Sequence, residues 1–167
     1  ARSMLAAGSP KVWQILDADP RVVEEVLLLY TGSADDVTRV TQALYAESAT
    51  FEGPLVRVRG RDNVAAQFLA LGALVSSTSV QDVSVTREPG RLVLQYAACY
   101  HLTRFMGTLT ASQTTTLVFD KNGAVQAHID EWDHPLGLLA ALPWPWCYLY
   151  DVWRFLLGRV SSAVVFV

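Results

Sequence analysis

Cysteine is scarce in this chain of 167 residues, which carries only Cys99 and Cys147. Two are too few for a disulfide framework, and neither sits in the close Cys/His spacing of a zinc site, so both read as free, buried thiols. Basic charge is short as well, with 13 Lys and Arg against 16 Asp and Glu and a net charge of -3. A nucleic-acid partner requires a broad electropositive field and is not expected. No apolar run reaches the ~18 uninterrupted residues of a membrane-spanning helix. Internal repeats and low-complexity blocks are also missing, and Gly and Pro fall between periodic segments as they do in an ordinary domain. Hydrophobic residues supply 51% of the chain, enough for one sizeable core. The opening ARSMLAAGSP lacks an initiator Met and is small and loop-like. It fits a processed transit peptide, a cloning scar or the cut end of a longer chain. The first of these carries the expectation of an intracellular, organellar location.

From Pro20 the spacing of Val22, Val23, Val26, Leu27 and Tyr30 predicts an amphipathic helix that ends at Thr31-Gly32-Ser33. Ser33 is placed to cap a second helix with the buried stripe Val37, Val40, Leu44 and Tyr45. The chain then becomes extended through Ala49-Thr50-Phe51. Leu55 to Arg59 alternates with period two and stops at Gly60, a short edge-like strand. Asp62 suits the N-cap of a third helix, with Val64, Phe68, Leu69 and Leu71 or Leu74 facing inward. After it the period changes. Val80–Arg87, Arg91–Thr103, Leu109–Phe119 and Ala124–Trp132 read as four consecutive strands, and Asn122-Gly123 is the signature of a type I′ hairpin turn. Three helices followed by an antiparallel meander predict an α+β domain in which a curved sheet wraps the helices.

The order of these elements, with LYAESATFEGPLVRVRGRDNVAAQF (Leu44 to Phe68) and the closing GAVQAHIDEWDHP (Gly123 to Pro135), resembles the NTF2-like superfamily in its SnoaL-like branch. Phe51, Pro54, Gly60 and Val64 carry one motif, and Asp130-Glu131-Trp132-Asp133 the other. The resemblance spans residues 20–135, leaving residues 1–19 as an N-terminal extension and residues 136–167 as a hydrophobic C-terminal one. It implies a cone of three helices in a curved antiparallel sheet. It leaves function open, because this fold hosts dehydratases, isomerases, epoxide hydrolases, transport factors and structural subunits.

The richest local cluster is HIDEWDHPLG, in which His128, Asp130, Glu131, Asp133 and His134 fall within seven residues. Strand alternation puts His128, Asp130 and Trp132 on one face and Glu131 on the other. If the first face is concave, the resemblance implies that His128 and Asp130 form an acid/base pair beside a small apolar ligand. If it is convex, they are solvated surface groups. A metal is not expected, since two His residues six apart lack a third nitrogen or sulfur ligand, and no cofactor is implied. Phe51, Glu52, Tyr96, Tyr100 and Trp132 are the further candidates for pocket lining. The family often has an Asp just before the motif Pro, where this chain has Gly53; Glu52 is the substitute one residue earlier. Thr110, Ser112, Thr114 and Thr116 form a polar row opposite Gln113 and Thr115, which reads as an ordinary solvated sheet face.

The C-terminal extension holds three of the five Trp residues, and Pro143 and Pro145 give it an extended entry. A helix over Tyr148 to Val160 would then carry an apolar face. Trp144, Trp146, Tyr148, Trp153 and Phe155 form an aromatic belt suited to plugging the domain's own cone, to docking on a protein partner, or to peripheral membrane contact. Two functions follow. One is a non-catalytic module, a subunit, adaptor or homodimer that binds through its sheet face and aromatic tail. The other is a cofactor-free SnoaL-like isomerase, dehydratase or hydrolase acting on a small apolar substrate through His128 and Asp130. The split polar cluster, the missing Asp before Pro54 and the hydrophobic tail tilt the sequence reading toward the first.

Overall fold

The computed structural model describes residues 20–102 and 107–133, together with Leu156 and Gly158. Two helices come first, α1 (Pro20–Thr31) and α2 (Ala34–Leu44). Ser33 caps α2 as expected: its hydroxyl accepts from the Asp36 N–H at 3.2 Å while the Asp36 carboxylate accepts the Ser33 N–H at 3.0 Å. The Ser33 hydroxyl, which also donates to Asp36 Oδ2 at 2.7 Å, and then the Ser33 N–H hold the Asp36 carboxyl below its ordinary range.

The chain passes from Leu44 directly into strand β1 (Tyr45–Glu52), so Tyr45 belongs to the sheet rather than to the helix stripe. A short β2 (Arg57–Arg59) turns back on it. Helix α3 (Arg61–Leu74) follows, and its N-cap is Gly60, not Asp62, which lies in the first turn. The reason is backbone conformation. Gly60 has a φ of 99°, a region open to glycine, and this geometry lets its N–H reach Ala49 O at 2.8 Å and pin the helix start to β1.

Four long strands complete the domain: β3 (Val75–Glu88), β4 (Arg91–Leu102), β5 (Thr108–Phe119) and β6 (Val125–Trp132). Strand β3 begins at the residue after α3, five positions before the expected start. The six strands lie in the order β2-β1-β6-β5-β4-β3. The meander is antiparallel, but β6 runs parallel to β1, so the sheet is mixed and not wholly antiparallel. Local alternation encodes which face is buried and says nothing of strand direction, hence the difference. The β5–β6 turn also departs from type I′, because among the described residues only Gly123 of the Asn-Gly pair has a positive φ. Asp120 organises it instead, its carboxylate accepting the N–H groups of Asn122 and Ala124 at 2.8 and 3.0 Å.

Helix α3 packs on β1 and β2 at one edge, α1 packs on β3 at the other, and the helices touch one another. A flat sheet of six strands is about 24 Å across, more than twice a helix diameter, so only a curved sheet brings both edges to the same helices. The concave face holds the core, which includes Leu92, Leu94, Tyr96, Ala98 and Tyr100 from β4 with Val26, Val40, Val64 and Phe68 from the helices.

Candidate functional site

Alternation along β6 turns His128 and Asp130 to the concave face, where they are 0% and 7% exposed; Glu131 and Asp133 face solvent. The convex alternative for the pair is thereby overturned. The imidazole Nε2 lies 3.0 Å from Asp130 Oδ1. Two tyrosines complete the cluster. Tyr30, near the end of α1, donates its hydroxyl to Asp130, 2.8 Å from Oδ1 and 2.7 Å from Oδ2. Tyr45, opening β1, places its hydroxyl 2.6 Å from His128 Nδ1. From β5, Thr115 donates to Asp130 Oδ1 at 2.6 Å and is itself met by the Tyr96 hydroxyl at 2.9 Å and by Gln113 Nε2 at 3.3 Å. Tyr100 donates to Gln113 Oε1 at 2.7 Å.

His128 Nε2 also lies 2.8 Å from the Tyr30 hydroxyl, so a proton on Nε2 is shared between Tyr30 Oη and Asp130 Oδ1, and in that tautomer Nδ1 accepts the Tyr45 proton. Oδ1 of Asp130 then takes Thr115 and His128 and shares the single Tyr30 proton with Oδ2, which has no other partner among the described residues and keeps a lone pair to spare. The phenols around it stay protonated. Burial first, and the charge of Asp130 second, push Tyr30, Tyr45, Tyr96 and Tyr100 well above the ordinary tyrosine value.

Asp130 lies at the polar end of a cavity of about 180 Å³. Tyr30, Phe51, Phe68, Tyr100 and Trp132 line it with Pro54, Leu55, Val56, Leu71 and Leu74. Of the expected lining residues, Phe51, Tyr100 and Trp132 are there. Tyr96 is buried behind the cavity on Thr115. Glu52 points away from it, on the face of β1 opposite Phe51, with Arg57 Nε 3.7 Å from its carboxylate. It does not replace a carboxylate at Gly53. A side chain at Gly53 would meet the Phe51 ring at 3.1 Å, so glycine there lets that ring lie against the loop.

Local patterns put Tyr30 and Tyr45 in apolar stripes and Gln113 and Thr115 on a strand's polar face, and do not mark them as partners of the pair. A signal was available: a tyrosine in a buried stripe carries a hydroxyl that must find a partner. Trp144, Trp146, Tyr148, Trp153 and Phe155 lie outside the described residues. Leu156 and Gly158 are helical, and Gly158 is buried on β2, its carbonyl accepting from Gln67 Nε2 at 3.3 Å. No group of His, Cys, Asp and Glu able to hold a metal occurs among the described residues, and none of their helices is long and apolar enough to cross a membrane.

Comparison with solved structures places this architecture. The chain has the NTF2-like fold. A protein with a ketosteroid isomerase-like fold from Catenulispora acidiphila, solved with trimethylamine, matches with a TM-score of 0.61 at 15% identity, over 75% of this chain and 96% of that one. An NTF2-like protein from Burkholderia xenovorans matches with a TM-score of 0.59 at 12% identity, over 80% of this chain and 97% of the other. A candidate isomerase of the SnoaL-like family from Agrobacterium tumefaciens gives 0.57 at 12% identity, over 68% and 96%. No protein-family profile and no curated protein matches the sequence. The expected cone is therefore present as a fold, and its chemistry rests on this chain's own residues.

Proposed function

We propose that the NTF2-like cone binds one small, largely apolar molecule and exchanges a proton with its polar end, without a cofactor. The observation that carries this reading is the position of Asp130: one oxygen holds Thr115 and His128, the other has only the shared Tyr30 proton and so has spare capacity, and the carboxylate lines an apolar cavity. A structural carboxylate has no need of such a cavity. A proton acceptor does, because water is kept from the carboxylate and its orientation is fixed before a ligand arrives.

In this reading Asp130 Oδ2 takes a proton from the ligand and returns it to another atom, the bond change of an isomerisation or elimination. Tyr30 remains protonated throughout and stabilises the carboxylate. His128, oriented by Tyr45, holds Oδ1 in place with Thr115. The SnoaL-like candidate isomerase among the structural neighbours supports the same class. The competing reading, a non-catalytic subunit or adaptor, draws on the aromatic tail, and the buried polar cluster gives it no support.

The test is solvent deuterium incorporation into a panel of small cyclic ketones, followed by NMR with the wild type and with Asp130→Asn. Incorporation above the buffer rate in the wild type, falling at least tenfold in the variant, is expected. If no ketone in the panel exchanges faster than in buffer and none binds, the reading is wrong.

A further inference from the structure

The charge and the walls of the cavity together restrict what its ligand can be. Resting on the reading that Asp130 meets a ligand, we infer that the ligand's polar end is a cation: a small alkylated ammonium group seated between Asp130 and the surrounding aromatic rings.

Charge comes first. The described lining contains no Lys or Arg, and Asp130 is its one ionisable acid. The groups bonded to that carboxylate are the hydroxyls of Tyr30 and Thr115 and the His128 imidazole, and no ammonium or guanidinium side chain joins them in the described lining. The field of the carboxylate reaches across the cluster, where it is among the causes that keep Tyr45 and Tyr100 protonated. A neutral ligand leaves this charge to the dipoles already around it, whereas a cation adds direct compensation and so binds more tightly.

The walls select which cation. Five of the lining residues are Tyr30, Phe51, Phe68, Tyr100 and Trp132. Tyr30 and Phe51 each stand 5.2 Å from Phe68, at interplanar angles of 86° and 64°, and Trp132 stacks on Tyr100 at 5.9 Å. Rings at such angles to one another cannot all turn their edges the same way, and a ring face that meets the ligand attracts positive charge. A primary ammonium or a guanidinium needs three to five hydrogen-bond acceptors, and the side-chain acceptors of this lining are few: Asp130, the Gln67 amide oxygen and the hydroxyls of Tyr30 and Tyr100. An alkylated nitrogen has at most one or two N–H groups to satisfy, and its methyl groups suit Pro54, Val56 and Leu71. The volume of about 180 Å³ is below the range of drug-sized sites, which fits an ammonium with short alkyl groups.

The experiment is calorimetric titration of the full chain at neutral pH with trimethylammonium chloride and, as an uncharged probe of similar shape, tert-butanol. Trimethylammonium is expected to bind at least about tenfold tighter. Asp130→Asn should close that gap to within about threefold, and Trp132→Leu, which leaves the hydrogen-bond cluster untouched, should weaken trimethylammonium by about three- to tenfold. Thermal melts show which variants fold; if Asp130→Asn does not, Trp132→Leu decides. Equal affinity for the two probes, or discrimination that survives in both variants, overturns the inference. If tert-butanol or a ketone binds and trimethylammonium does not, the cation fails and the functional reading stands; if none of these binds, both fail.

Discussion

The hydroxyl of Tyr30 bridges both oxygens of Asp130 across 100 residues of chain, joining the first helix to the last strand. Tyr30→Phe keeps the ring contacts with Phe68 and Tyr96 and removes only the donor. The carboxylate then loses its partner at Oδ2. Urea unfolding should show a loss of about 1.5–3 kcal/mol, the range for a hydrogen bond to a charged group. Stability unchanged within about 0.5 kcal/mol would mean that water takes the place of the hydroxyl and the cavity end is wet.

Alkaline pH attacks the same cluster. Tyr30, Tyr45, Tyr96 and Tyr100 are all held above their ordinary value of 10.0. The folded state keeps these protons where the unfolded chain releases them. Their contribution is thus fully present below pH 10 and declines as pH rises beyond it. In a variant with Tyr148 and Tyr150 changed to Phe, phenolate absorbance should appear together with loss of the far-UV circular dichroism signal. Phenolate formed while the fold stays intact would show that the tyrosines are accessible.

Gly158 tests whether the C-terminal extension is held by the domain. A Cβ there would lie 2.5 Å from Val58 Cγ1 and 2.8 Å from Arg57 O, and the second of these is backbone that cannot swing aside. Gly158→Ala should destabilise the protein by about 1–3 kcal/mol, as overpacking does, measured by thermal or urea unfolding. A stabilised variant, gaining from the helix propensity of Ala, would show that this contact with β2 is loose.

Much of the fold was legible because it is written in local patterns. Alternation along β4 and β6 placed Tyr96, Tyr100, His128 and Asp130 on common faces, and the structure has them there. What local patterns cannot hold was missed. Strand direction is one case: the parallel pairing of Phe51 with His128 joins residues with no shared turn to announce it. The cap of α3 is another, since Asp62 offered a side-chain cap but a backbone contact from Gly60 to Ala49 took the position. The site itself was half legible. His128 and Asp130 sit two residues apart and stand out, whereas Tyr30 and Tyr45 satisfy an apolar stripe as well as Phe or Leu would. Their hydroxyls acquire meaning only when the sheet curves over α1.

The insertion of β6 between β1 and β5 sets an order on biosynthesis. Until the ribosome has released that strand, the β1–β2 hairpin and the β3–β5 meander each present an open edge, and no other strand among the described residues joins them. The same strand brings His128 and Asp130, so the nascent chain stays open-edged, and so prone to aggregate, for as long as its polar cluster is incomplete.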